Sequence, residues 1–142
     1  MKYAVSACLT GENCKYSGGN NYHEKLCRYL KDHEVIPLCP EVSGGMPTPR
    51  VPFELQNGIA VDRDGKNVHP ALLSGIEACL KRLEGEAVEC VILQPRSPSC
   101  GVGRIYDGTF SGTLTDGDGA FAAALKEHGY RVMSADEFAE NL

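Results

Sequence analysis

The chain has 142 residues, a formal charge of −5 at pH 7, and 42% hydrophobic against 23% charged residues. That length suits one domain, residues 1–142, with its own core, and the composition excludes a disordered chain. The acidic balance argues against a nucleic-acid polymer as partner, which needs a basic surface for its phosphates, and points to a small-molecule substrate.

In chain order, residues 2–8, KYAVSAC, read as a buried strand that Cys8 closes, and NCKYSGGNN after them as a Gly/Asn-rich loop. Tyr22, Leu26, Tyr29 and Leu30 recur at helical spacing and predict an amphipathic helix over 22–32. EVIPLC returns as a second strand closed by Cys39. The stretch CPEVSGGMPTPRVPFEL holds prolines 40, 47, 49 and 52 and reads as a rigid, irregular loop. Residues 58–68 alternate around Asp64-Gly65 and predict a small hairpin outside the main sheet. Pro70 opens a helix to about Leu83, and AVECVIL is a third strand running into the turn SPSCG. IYDGTFSGTLTDGDG, with glycines 108, 112, 117 and 119, reads as a flexible stretch suited to anion binding or a lid. An Ala-rich helix over 119–128, a strand YRVM and a short terminal helix complete the chain.

This alternation predicts an α/β fold: a small, mostly parallel sheet with helices on both faces, a Rossmann-like three-layer arrangement with a hairpin excursion. Ligands of such sheets sit beyond the carboxyl ends of the strands. Cys8, Cys39 and Cys100 leave three predicted strands at that edge, each into a segment carrying Gly or Pro. Without a signal peptide or membrane-length apolar stretch, the expected location is the cytoplasm, with no membrane partner. That compartment keeps thiols reduced, so seven cysteines, an odd number, speak for metal binding or chemistry rather than a disulfide framework.

Cys27 and Cys79 on helices and Cys90 within a strand read as core residues. Cys14, in a polar loop six residues after Cys8, is compatible with either role. Three thiolates suit a soft metal or a cluster with one coordination position left open. The absence of C-x-x-C removes the usual ferredoxin, zinc-ribbon and thioredoxin patterns, and the residues alone leave zinc and iron-sulfur both open. Glu41, two residues after Cys39, faces the same crevice and suits a general base. Ser97 and Ser99 flank Pro98 beside Cys100, with hydroxyls that suit a substrate oxygen, a cluster sulfur or the turn itself. Gly44 and Gly45 allow close backbone approach to a ligand, and Arg50 suits an anionic substrate or a carboxylate partner such as Glu54. Histidines 23, 33, 69 and 128 lack metal-ligand spacing and read as surface or capping residues.

SACLTGENCKYSGG, CPEVSGGMPTPR, SPSCG and IYDGTFSGTLTDGDG together resemble the bacterial domain-of-unknown-function family that includes the iron-sulfur-dependent thiouracil desulfidases. The resemblance implies a [4Fe-4S] cluster held by Cys8, Cys39 and Cys100, with one iron open to the sulfur of a thiolated, thiouracil-like substrate. It implies a desulfidase that replaces that sulfur by oxygen without net redox change. Glu41 would then handle the proton of the attacking water, and Ser97 would orient substrate or assist proton transfer. Ser99, Gly44, Gly45 and Arg50 are the expected substrate-binding residues. Gln94 stands where the family pattern leads one to expect Lys, and KYSG at 15–18 replaces an RYDG-like segment. A sulfur or iron-sulfur cluster carrier without turnover is the alternative, and a metal-free cysteine nucleophile at Cys100 ranks last. The sequence is compatible with a homodimer.

Overall fold

The computed structural model describes residues 1–142. Four strands form a fully parallel sheet: β1 (Lys2–Ser6), β2 (Glu34–Leu38), β5 (Cys90–Leu93) and β8 (Val132–Ser134), in the order β2-β1-β5-β8. Between β2 and β5 lie a short helix α2 (Pro40–Ser43) and an antiparallel hairpin, β3 (Phe53–Gln56) with β4 (Ile59–Asp62). A second hairpin, β6 (Arg104–Tyr106) with β7 (Leu114–Asp116), follows β5. The longer connections carry α1 (Glu24–Leu30), α3 (His69–Leu83) and α4 (Ala120–Glu127), and α5 (Ala135–Glu140) ends the chain.

The period-2 alternation of the central strands sorts the core into two layers. Ala4 of β1 and Val91 and Leu93 of β5 face Leu72, Ile76, Cys79 and Leu83 of α3 and Phe121, Ala122 and Leu125 of α4. Tyr3 and Val5 of β1 and Cys90 and Ile92 of β5 face Leu26 and Leu30 of α1 and Ala135 of α5. The three-layer α/β expectation is therefore met, with Cys79 and Cys90 in the core. Cys27 is half-buried, its thiol donating to the Leu9 carbonyl at 3.2 Å.

Several local readings need correction. The proline-rich stretch is not wholly irregular: Cys39 caps α2, Pro40 takes its first position, where a missing N–H costs nothing, and residues 53–56 form β3. The hairpin turns at Asn57-Gly58, both with positive φ, rather than at Asp64-Gly65. Asp64-Gly65 makes a later turn in which Asp62 Oδ1 accepts from the Asp64 and Lys66 amides. The glycine-rich stretch from Arg104 holds a hairpin whose strands pair over residues 104–106 and 114–116, with glycines 108 and 112 in its loop. His33, expected at the surface, stacks on Tyr29 at 4.6 Å between ring centroids, and its Nδ1 is buried without a hydrogen-bond partner.

No helix is long and apolar enough to cross a membrane.

Candidate active site

Beyond the carboxyl ends of β1, β2 and β5 lies a cavity of about 440 Å³. Cys8, Cys14, Cys39 and Cys100 all line it, with Glu41, Arg50, Ser97 and Ser99. β1 ends at Ser6, and a 3-10 turn over Ala7–Thr10 carries Cys8 forward, where its carbonyl accepts from the Asn21 amide at 2.9 Å. Cys39 leaves β2 as the cap of α2. Cys100 is the most buried of the four at 6% exposure. It follows a turn closed by the Ser97 hydroxyl, which accepts from the Ser99 amide at 3.2 Å and the Cys100 amide at 3.1 Å.

Cys14 is the residue that strand topology did not place, and the structure brings it onto the same cavity wall as Cys8 and Cys39, near enough to influence the titration of both thiols. The neighbouring Cys39 and Cys8 sulfurs, together with burial, raise the Cys14 thiol far above the ordinary range. Cys14 in turn lowers Cys8, helped by the Asn21 side-chain amide at 3.5 Å from its sulfur. Cys39 drops to about 7, first through the Cys14 thiol and then, against its desolvation, through the Val42 amide and the Arg50 charge. Burial pushes Cys100 up, opposed by the Ser6 and Ser99 hydroxyls.

Glu41 is held from both sides. Arg50 Nε donates to its Oε1 at 3.0 Å and Nη2 lies 2.9 Å from the same oxygen, while the Ser99 hydroxyl donates to Oε2 at 2.7 Å. Ser99 in turn lies 2.9 Å from the Ser97 hydroxyl. With Ser99 donating to the carboxylate, Ser97 is left to donate to Ser99, giving a continuous chain Ser97, Ser99, Glu41 along the cavity wall. Arg50 pairs with Glu41, not Glu54. Its remaining contacts are to the Cys14 and Pro47 carbonyls and the Thr48 hydroxyl, so the guanidinium is held within the chain on every side.

Gly44 and Gly45 do not line the cavity. A Cβ on Gly44 would strike the Ala71 carbonyl, and one on Gly75 the Pro40 carbonyl, so Gly44 and Gly75 let α2 lie directly on α3. Their work is to seat the helix that carries Glu41. Gly119 plays a similar part on the other flank, since a Cβ there would come within 2.6 Å of the Ser99 carbonyl, where the start of α4 meets the Ser97–Cys100 turn.

Sequence reasoning missed Asn21, whose side-chain amide donates toward the Cys8 sulfur, Ser6, whose hydroxyl accepts from the Gln94 amide on the cavity wall, and a set of cavity residues from the hairpins: Glu54, Arg63 and Phe110. A polar residue at the very end of a buried strand was the available signal for Ser6. Lys15, Arg63 and Arg96 line the cavity without a carboxylate partner, a local positive field in a chain of net negative charge. Gln94 also lines it, its backbone amide donating to the Ser6 hydroxyl at 3.0 Å.

Residues 4–137 match the family model described as 2-thiouracil desulfurase. The chain belongs to that family. A relative from Bacillus subtilis (strain 168), "Uncharacterized protein YbbK", is 38% identical over 143 residues, covering 94% of this chain and 95% of that protein. A solved structure described as the [4Fe-4S]-dependent thiouracil desulfidase TudS (DUF523Vcz) is 37% identical, with a TM-score of 0.91 over 98% of this chain and 93% of that one. Family membership and this likeness in fold and sequence make the chain an enzyme of the desulfidase type.

No three His, Cys, Asp or Glu side chains of this family member converge on a single-ion site. A cluster places its ligands on separate metal atoms, so it asks for thiols spread around one cavity rather than pointed at one spot. Four cavity thiols, with the Asn21 side-chain amide directed at the Cys8 sulfur, fit that demand, because hydrogen bonds to sulfur tune such clusters.

Proposed function

We propose that this single-domain protein removes sulfur from a thiouracil-like base at a [4Fe-4S] cluster held by Cys8, Cys39 and Cys100. The observation that carries the reading is the meeting, in one cavity, of the cysteine sulfurs with the Ser97, Ser99, Glu41 chain. TudS, named for that cofactor and substrate, supports it. What the cluster supplies when bound is Lewis acidity toward a thiocarbonyl sulfur, through an iron without a protein ligand.

The residues of the chain do the rest. The net reaction adds water to the thiocarbonyl carbon and releases sulfide, leaving a carbonyl, with no electron gained or lost. Ser97, at the open end of the serine pair, orients the ring carbonyl or the incoming water. Glu41 accepts the water proton through Ser99, and Arg50 holds that carboxylate in place. Cys14 supports the two thiolates beside it without serving as a ligand. The cavity walls exclude bulk water from the thiol side, where Cys8, Cys14 and Cys100 are all 9% exposed or less.

Anaerobic reconstitution with iron and sulfide, then iron analysis and a sulfide-release assay with 2-thiouracil, tests the reading. Near four irons per chain and released sulfide are expected. Cys8→Ser, Cys39→Ser and Cys100→Ser each lose iron and turnover together, while Cys14→Ser keeps its iron. A Cys14→Ser protein without iron, or a Cys39→Ser protein with a full complement, overturns the ligand set. A full cluster without turnover would revive a carrier.

A further inference from the structure

About fifty residues of chain separate β3 from the tip of the second hairpin, yet the two are stapled together at the cavity. Glu54 of β3 is a carboxylate at 8% exposure whose Oε1 accepts from the Gly108 amide at 3.0 Å and the Phe110 amide at 3.1 Å. Gln56 Nε2 adds a bond to the Gly108 carbonyl at 2.9 Å. Gly108 has a φ of 94°, and a Cβ on it would meet the Leu55 carbonyl at 2.7 Å, so the tip lies flat on β3. Phe110 itself has a φ of 56°, a left-handed conformation that a bulky residue adopts only when its surroundings impose it.

Both Glu54 and Phe110 line the cavity that holds the thiols. One carboxylate oxygen of Glu54 is spent on the hairpin. The other, Oε2, has no partner in the chain and is not sealed from solvent. Phe110 is half-buried, with the Arg63 guanidinium 5.9 Å from its ring centroid. An unpartnered carboxylate oxygen on a cavity-lining residue, beside an aromatic ring held in a strained backbone position, suits a flat heterocycle carrying an N–H.

We propose that Glu54 and Phe110 form the base-recognition wall of the cavity. Glu54 Oε2 accepts a hydrogen bond from a ring N–H of the thiolated base, and Phe110 covers the ring face. This rests on the desulfidase reading above and deepens it, because it assigns two substrate-binding residues outside the cysteine and serine motifs. Glu54 therefore acts at both oxygens, shaping the wall with one and reading the substrate with the other.

The chain contains no Trp, so Phe110→Trp introduces a single fluorescent reporter into the wall. Uracil, with the same ring N–H groups and no sulfur to lose, titrated into the cluster-loaded Phe110→Trp protein should shift its emission. Glu54→Gln retains an acceptor for the two hairpin amides but presents an N–H to the base where Oε2 stood. It should raise KM for 2-thiouracil roughly tenfold or more, with kcat within a few-fold and iron content unchanged. A thiouracil methylated at the recognised ring nitrogen should lose affinity for wild-type protein and lose none for Glu54→Gln. An unchanged KM in Glu54→Gln, or methylation penalties equal in both proteins, overturns the proposal while wild-type sulfide release leaves the desulfidase reading standing. Failure of cluster-loaded wild-type protein to release any sulfide overturns that reading and the proposal together.

Discussion

The Ser99 hydroxyl donates to Glu41 Oε2 at 2.7 Å, although 58 positions separate the two residues in the chain. The bond ties the turn after β5 to the helix after β2, and so joins the two elements that carry Cys100 and Cys39. Ser99 is 1% exposed, while Ser97 stands next to it toward the cavity. If the three groups pass one proton, deleting either serine hydroxyl breaks the same chain. Ser97→Ala and Ser99→Ala should each lower kcat by about 100-fold, with iron content unchanged. The double variant should lose little more than either single one, since groups that act as a unit are not additive. Sulfide-release kinetics on the cluster-loaded variants decide this, and multiplicative losses would show two independent roles.

Arg50 and Glu41 form an ion pair with side-chain exposures of 6% and 14%. Removing one partner of so buried a pair leaves the other charge stranded, which costs about 3–5 kcal/mol. Arg50→Ala should therefore show a large fall in the urea midpoint, besides loss of turnover. Arg50→Lys keeps the charge but loses the planar fork that reaches Glu41 and three other acceptors at once, so it should recover only part of the stability. Full recovery by Lys would mean that charge alone holds Glu41, not the planar fork.

Much of this site was legible before the fold was known, and the reason is topological. In a parallel α/β sheet each strand delivers its last residues to one edge, so Cys8, Cys39 and Cys100 meet there whatever their spacing in the chain. Cys14 carried no such guarantee. It arrives because its loop is pinned by Arg50 to the Cys14 carbonyl and by the Asn21 amide to the Cys8 carbonyl, contacts that no local pattern announces. Gly44 and Gly45 were read as room for a ligand, whereas Gly44 makes room for α3. A glycine shows that something comes close, and not what. Glu54 looked like a partner for Arg50 because the two are near in sequence, yet it bonds a hairpin tip more than fifty residues away.

The closeness of α2 to α3 makes Gly75 a sensitive position. It sits inside α3, where Ala would normally favour the helix, but any Cβ there collides with the Pro40 carbonyl. Gly75→Ala should destabilise the protein by about 1–3 kcal/mol as an overpacking change, and should lower kcat by moving Glu41. Gly85→Ala, where φ is 77° but no atom lies within 4 Å of the added Cβ, provides the control: it strains the backbone without displacing α2. Urea unfolding together with kcat separates them, and an equal loss of turnover in both would show that α2 packing does not govern the site.

The grouped thiols predict a pH signature for the cluster-free chain. Cys39 is held at about 7, against an ordinary value of 9.0, first by the Cys14 thiol and also by the Val42 amide and Arg50. Only the thiolate is nucleophilic, so alkylation by iodoacetamide should be slow below that pH, rise through about pH 7 and level off above it. Cys100, pushed up by burial, should resist the reagent over the same range. Cys14→Ala removes the largest influence on the Cys39 thiol, and the Cys39 alkylation curve should then move toward pH 9. Peptide mapping by mass spectrometry across roughly pH 5–9 follows each thiol separately. A Cys39 midpoint that stays put in Cys14→Ala would place the cause in Arg50 and the α2 amide instead of the neighbouring thiol.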